Sequence, residues 1–173
     1  MSSSGANLSV WVGDHLVCIR ISGRASFNCS VDFRTLVTSL WQKGYNRFVL
    51  DLTNCQLMDS TFLGVLAGLG MRFNREPNGC GPATIELFNA SPRIAEMLDN
   101  LGVSHLFKTL SAPPTEPAHL TRLEQPETQS DRKEISRTCL EAHKLLMDLN
   151  PANAAKFKDV TRFLEEDLKK LGG

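Results

Sequence analysis

The sequence lacks an excess of charge of either sign. Its 173 residues include 19 Lys and Arg against 19 Asp and Glu, which gives a formal net charge of zero. Nucleic-acid binding depends on clustered cations that neutralise phosphates, and attachment to anionic lipid surfaces has the same requirement. The charge balance therefore argues against a nucleic-acid partner and against binding to a membrane surface.

Long apolar runs are also missing. No stretch approaches the ~20 apolar residues that a helix needs to cross a bilayer. The polar start, residues 1–5, has no charged segment followed by an apolar one, as a secretory signal would. We therefore expect a cytoplasmic protein without membrane insertion.

Motifs for metal binding or catalysis are absent as well. The cysteines are odd in number, form no CxxC pair and do not lie at zinc-like spacing from a histidine; they are Cys18, Cys29, Cys55, Cys80 and Cys139. The four histidines lie far apart in the sequence. We expect reduced thiols, no metal, no cofactor and no catalytic residue, although residues that meet only in space leave an enzyme open as an alternative.

Secondary-structure signals alternate along the first part of the chain. Residues 8–12 alternate in polarity, Gly13-Asp14 interrupt them, and an apolar run over 16–21 completes the pattern of a β-hairpin. Apolar residues over 33–41 then follow helical spacing, and this helix is expected to end near Gly44.

The next segment predicts further strands and helices. The apolar run 48–52 is typical of a strand covered on both faces, and 61–73 has the pattern of a helix. A strand over 83–88 precedes a helix that starts at Ser91-Pro92 and stops at Gly102. With an edge strand around 106–107, the predicted order is β-β-α-β-α-β-α-β, an α/β domain with a mixed sheet over residues 1–110.

The composition changes after this domain. Residues 111–130 are rich in Pro, Thr, Glu and Gln, which predicts a linker. Residues 131–173 contain two amphipathic patterns, the second opened by Asn150-Pro151, and they predict a C-terminal helical hairpin. Two short helices bury little alone, so we expect them to pack on the main domain or on another subunit, for example in a homodimer.

The junction between the strand at 48–52 and the following helix carries the clearest functional signal. Its sequence is Met58-Asp59-Ser60-Thr61-Phe62-Leu63, which places two hydroxyls behind a carboxylate at a helix start. Free N–H groups and the helix dipole favour negative charge there, so a phosphate would be well held. The same residue types also serve as simple N-caps, and by pattern alone that interpretation is the more common one.

Four motifs in this order resemble the STAS family, and within it the bacterial anti-sigma-factor antagonists. They are Ile21-Ser22-Gly23-Arg24, Leu50-Asp51-Leu52, Met58-Asp59-Ser60-Thr61 and Leu63-Gly64-Val65-Leu66. The resemblance covers roughly residues 8 to 110. It implies a mixed sheet with helices packed mainly on one face, and it leaves the linker and the hairpin without a counterpart.

The resemblance also implies a phosphorylation switch. Thr61 corresponds to the residue that is phosphorylated by an anti-sigma factor with a histidine-kinase-like ATPase fold, and Ser60 is the neighbouring alternative acceptor. The unphosphorylated form would bind this kinase and free the sigma factor, the phosphate would block docking, and a Ser/Thr phosphatase would reset the switch. The implied partner-binding residues are Asp59, Ser60, Thr61, Phe62, Leu63 and Arg24.

Phe62 departs from the family pattern, which usually has glycine after the acceptor. Its ring would either narrow the approach of a kinase or anchor a different partner. Two alternatives therefore stay open. One is a constitutive STAS scaffold, in a stressosome-like or transporter-ATPase-associated assembly, and the other is a small-ligand or nucleotide binder, or an enzyme, that uses the groove at the strand ends.

Overall fold

A computed structural model describes residues 6–75, 82–112, 120–123 and 131–172 of the chain. Most of the predicted linker, residues 113–119 and 124–130, lies outside these ranges, and so does Cys80. None of the helices in the described part is both long and apolar enough to span a membrane.

The described chain contains seven strands, five α-helices and one short 3-10 turn at Ser104–Leu106. The strands are β1 (Asn7–Val12), β2 (Leu16–Ala25), β3 (Arg47–Asp51), β4 (Cys55–Met58), β5 (Thr84–Phe88), β6 (Lys108–Leu110) and β7 (Thr121–Leu123). The helices are α1 (Phe27–Gln42), α2 (Ser60–Arg75), α3 (Pro92–Leu101), α4 (Arg132–Leu149) and α5 (Ala152–Lys170).

The strands form a mixed sheet with the order β6-β5-β3-β2-β1-β7. Strands β2, β3, β5 and β6 run parallel, while β1 is antiparallel to both β2 and β7. The predicted hairpin and the mixed α/β fold are thus confirmed. The predicted edge strand lies slightly later than expected, because residues 104–106 form the 3-10 turn before β6 begins.

Strand β4 was not predicted, and it explains the early Ile-Ser-Gly-Arg motif. β4 pairs only with the end of β2, and the β2 register shifts between Gly23 and Arg24. Gly23 has φ +91°, a left-handed conformation that costs glycine little. This bend lets β2 leave β3 and pair with β4, so the chain ends of β2 and β4 lie side by side.

The core lies between one face of the sheet and the helices. On β2, Val17, Ile19 and Ile21 are fully buried, whereas the Arg20 side chain is 48% exposed on the opposite face. Aromatic rings from α1 and α2 fill the space above the sheet. Phe33 and Phe62 have ring centroids 4.8 Å apart, which is within the range of favourable aromatic pairs.

The C-terminal hairpin is formed by α4 and α5, and α4 packs against α2 and α1. Leu146 and Ala142 of α4 are part of the same buried core as the sheet. The hairpin therefore docks on the main domain of its own chain. β7 lies within the range 111–130 predicted as a linker and forms an edge strand on β1.

Candidate functional site at the start of the second helix

The carboxyl ends of β2 and β4 place the starts of α1 and α2 next to each other. Ala25 and Met58 are paired in neighbouring strands, and each is followed within two residues by a helix. The backbone N–H of Asp59 donates to the carbonyl of Ala25 at 2.8 Å, which fixes the two junctions together. Both helix starts therefore direct free N–H groups toward the same edge of the sheet.

Asp59 uses both of its carboxylate oxygens to cap these helices. Oδ1 accepts from the Phe62 N–H at 2.8 Å, and Oδ2 accepts from the Phe27 N–H at 2.8 Å. One carboxylate thereby satisfies orphan donors of α2 and α1 at once, where the two helix dipoles favour a negative charge. The predicted capping role of the Asp-Ser-Thr segment is thus present, and Asp59 acts as a brace between two helices.

The two candidate acceptors, Ser60 and Thr61, are both in contact with α4. The Ser60 hydroxyl lies 2.7 Å from Nε2 of His143. Nδ1 of His143 lies 2.7 Å from the carbonyl of Cys139, which can only accept, so Nδ1 carries the proton and Nε2 accepts from the Ser60 hydroxyl. This hydrogen bond joins residues 83 positions apart in the sequence.

Thr61 is more deeply covered than Ser60. Its exposed fraction is 5%, and it faces the thiol of Cys139 on α4. Burial raises the pKa of the Cys139 thiol, an effect that the Thr61 hydroxyl partly opposes. Cys139 therefore stays a neutral thiol near pH 7, and the Thr61 hydroxyl has no base beside it.

The remaining predicted residues separate into buried and exposed groups. Phe62 and Leu63 have no exposed surface, so neither reaches a partner in this arrangement. Arg24 is exposed at the end of β2, one strand away from the acceptors. Close to it in the chain, Phe27 is 44% exposed at the start of α1.

Arginine also links α1 to the hairpin beside this site. The guanidinium of Arg34 donates to the hydroxyl of Thr138 and to the carboxylate of Glu141, both at 3.1 Å. A groove of about 320 Å³ lies next to these contacts, where α1, α2 and α4 meet. Among the described residues, no group of three or more His, Cys, Asp or Glu side chains is placed to hold a metal ion.

A second groove lies at the carboxyl ends of β5 and β6, where an α/β sheet would offer a ligand site. Its volume is about 450 Å³. Asp99 is the charged side chain among the described residues that line it, beside uncharged ones such as Asn89 and Thr109. A lining without a cation offers nothing to neutralise a nucleotide phosphate, so the groove does not favour a nucleotide.

The family model of the STAS domain matches residues 8–116. The chain belongs to the STAS domain family. The match ends before α4 begins, so the helical hairpin lies outside the part of the STAS protein that the family defines.

Solved structures share the STAS fold with this chain. A Thermotoga maritima protein proposed to be an anti-sigma factor antagonist is 17% identical, with a TM-score of 0.53 over 61% of this chain and 86% of that one. An anti-sigma factor antagonist from Mycobacterium paratuberculosis is 14% identical, with a TM-score of 0.52 over 64% of this chain and 90% of that one. The comparison with curated proteins gave no match.

The sequence did not reveal His143, Cys139 and Phe27 as members of this site. His143 and Cys139 lie on the same predicted helix as the apolar residues that dock it, but nothing in their spacing indicates what they face. Phe27 directly follows the N-cap Ser26, whose hydroxyl accepts from the N–H of Asn28. A large apolar residue at the exposed first turn of a helix was the available signal.

Proposed function

We propose that this STAS protein is a regulatory binding module, an anti-sigma-factor antagonist controlled by phosphorylation of Thr61 or Ser60. The observation that carries the proposal is the Asp-Ser-Thr segment at the start of α2 in a chain of this family. Of two proteins with the same fold, one is described as an anti-sigma factor antagonist and the other as proposed to be one. The function is one of binding rather than of catalysis.

The electrostatics of the site support such a switch. A phosphate on either hydroxyl adds roughly two negative charges next to Asp59. In the free protein, the N–H groups at the start of α2 stabilise that charge. A partner docked over the helix start would have to bury the phosphate, and burying a charge that no opposite charge pairs with is costly. Docking of an anti-sigma kinase to the unphosphorylated form, and its loss on phosphorylation, follow from this change. A Ser/Thr phosphatase completes the cycle.

The exposed surface beside the acceptors provides the docking contacts. Arg24 and Phe27 lie at the adjoining ends of β2 and α1 and combine a cation with an apolar ring. Ser60 and Thr61 would join this surface once α4 no longer covers them. Phe62 and Leu63 support the surface from beneath, since both belong to the core.

One observation favours a second candidate, the constitutive STAS scaffold. Thr61 is almost fully buried, with 5% of its surface exposed, so a kinase cannot reach it in this arrangement. A scaffold subunit would use Arg24 and Phe27 for assembly and would leave Thr61 unmodified.

Phosphate mapping tests the switch. The protein is incubated with an ATP-supplied lysate of its source organism, and phosphopeptides are located by mass spectrometry. Phosphate is expected on Thr61 or Ser60, and the double variant Ser60→Ala/Thr61→Ala should lose it. If no phosphate appears at either residue, and partner binding is unchanged by Thr61→Glu, the phosphorylation switch is refuted.

A pair of phenylalanine variants tests the docking surface. Phe27→Ala should weaken binding of the anti-sigma kinase at least tenfold, because a half-exposed ring at an interface loses its whole contact. Phe163→Ala is the matched control, since Phe163 is 64% exposed on α5. Equal binding by the two variants would remove Phe27 from the interface. Loss of binding in Phe27→Ala together with unchanged binding by Thr61→Glu would favour the scaffold, because the switch requires negative charge at Thr61 to block docking.

A further inference from the structure

The middle of α4, residues 138–143, covers the acceptor site with polar and small side chains. Thr138 is 1% exposed and His143 is 4% exposed, although both are polar. They face Arg34 and Ser60, and Cys139 between them faces Thr61. A packing helix normally buries an apolar stripe, so this polar stretch is specific to the surface beneath it.

The two ends of the hairpin are held in different ways. Near the turn, Leu146 is fully buried, and the Asn153 side chain donates to the carbonyls of Leu101 and Leu146 at 3.0 and 2.8 Å. These contacts anchor the hairpin to the end of α3. Over the acceptors, the contacts combine the close packing of Ala142 on Gly64 with hydrogen bonds, each of which water or a partner replaces at small net cost. This stretch of α4 buries small and polar side chains and no large apolar one, so it is the part of the hairpin that is displaced most easily.

Gly64 of α2 determines how closely α4 approaches α2. A Cβ atom on Gly64 would lie 2.6 Å from both the Cβ and the carbonyl oxygen of Ala142. Real Cβ atoms do not approach this closely, so any side chain at position 64 would push α4 away from α2. One turn further along, a Cβ on Gly68 would meet only the end of the flexible Leu145 side chain, at 3.2 Å.

We infer that α4 is an autoinhibitory cover. In the closed arrangement it occupies the surface around Ser60 and Thr61 that a kinase or partner needs, and residues 138–143 must move away before either residue is modified or bound. The inference rests on the proposed function for what the cover regulates. It adds a role for the hairpin, which lies outside the matched family segment.

The native cysteines report on opening without the help of a partner. Cys139 lies on the inner side of the cover, Cys18 is comparably half-buried on the sheet, and Cys29 belongs to the core. Each protein is treated with N-ethylmaleimide, and labelling rates are measured for every cysteine by peptide mass spectrometry. Gly64→Ala should accelerate labelling of Cys139 at least tenfold and leave Cys18 and Cys29 unchanged. Gly68→Ala is the matched control and should match the wild type.

His143→Ala is the second variant, because it removes the bond to Ser60 without adding an atom. It should also accelerate Cys139 labelling, by several fold. If labelling of Cys29 becomes faster together with that of Cys139 in Gly64→Ala, that variant has unfolded. The labelling rate of Cys139 in His143→Ala is then the decisive measurement. If Cys139 is labelled at the wild-type rate in both variants, the inference that α4 is a cover is overturned. If Gly64→Ala unfolds, a wild-type labelling rate in His143→Ala alone overturns it.

The regulatory step is measured in the same proteins by phosphate mapping. Gly64→Ala should gain phosphate on Ser60 and Thr61 at least fivefold faster than Gly68→Ala. Equal rates in these two proteins would refute autoinhibition. Faster Cys139 labelling without phosphate in any variant would refute the proposed phosphorylation switch and retain the displacement of α4, so the two failures are distinguishable.

Discussion

The double cap made by Asp59 gives the sharpest test of how the site is built. In Asp59→Ala, the N–H groups of Phe27 and Phe62 both lose an acceptor at 2.8 Å. Loss of one N-cap side chain typically costs about 1 kcal/mol of folding stability. Loss of a negative charge next to a helix start costs a further 0.3–1 kcal/mol or so per helix. Asp59→Ala should therefore lower the free energy of unfolding by about 3 kcal/mol.

Two matched variants make this magnitude interpretable. Ser91 caps α3 alone, with its hydroxyl accepting from the Ile94 N–H at 3.2 Å, so Ser91→Ala should cost about 1 kcal/mol. Asp59→Asn keeps one carbonyl oxygen but turns an NH₂ group toward the second N–H. It should fall between the two alanine variants.

Urea unfolding followed by tryptophan fluorescence measures all three variants. Phosphate mapping and kinase binding of Asp59→Asn are measured in parallel. A cost for Asp59→Ala no larger than that of Ser91→Ala would refute the double cap. Unchanged stability with lost kinase binding would instead make Asp59 a direct partner contact.

Three further variants test the core, a buried thiol and the anchor of the hairpin. Phe62→Ala should lower the free energy of unfolding in urea by about 3–5 kcal/mol, because it empties a fully buried site. Phe163→Ala removes an exposed ring and should change this free energy by no more than about 0.5 kcal/mol. Equal effects of the two variants would contradict the burial of Phe62. Burial raises the pKa of the Cys29 thiol to about 11. Between about pH 9 and pH 11 this thiol therefore ionises mainly in the unfolded chain, which favours unfolding. The stability advantage of the wild type over Cys29→Ser should narrow by about 1–2 kcal/mol between about pH 8 and pH 10.5. A constant difference would show that this thiol is not shielded. Asn153→Ala removes the Nδ2 donor from the Leu101 carbonyl and one of two donors from the Leu146 carbonyl, which keeps the Asn150 N–H, and it should cost about 1–2 kcal/mol. Hydrogen exchange over residues 132–170 should become faster, whereas unchanged exchange would show that the anchor lies elsewhere.

The elements with local signals could be predicted from the sequence. Helix α3 starts after the N-cap Ser91 and ends at Gly102 in a left-handed conformation, as the Ser-Pro start and the glycine stop indicate. Strand β4 has no such signal. It is four residues long and pairs only with the bent end of β2, so its existence depends on a tertiary contact. β7 likewise exists only through pairing with β1.

The contacts of the candidate site likewise include some with a local sequence signal and some without one. The cap that Asp59 gives to α2 depends on residues within one turn, and the sequence indicated it. Its second bond, to the Phe27 N–H of α1, joins positions 32 residues apart and had no local signal. The contact of His143 with Ser60 depends on helix packing across 83 residues, and no local pattern specifies it. The burial of Phe62 had a signal, since Phe62, Leu66 and Phe73 follow helical spacing and form the core face of α2.

The burial of Phe62 also changes what its departure from the family pattern means. The ring points away from the acceptors and packs on Phe33, so it neither narrows the approach to Thr61 nor reaches a partner. It fixes the first turn of α2 to the core, which holds Ser60 and Thr61 toward α4. Access to the acceptors is therefore limited by a helix from the C-terminal hairpin and not by the residue that follows them. The proposed control of the site therefore depends on a helix outside the STAS match, which ends at residue 116.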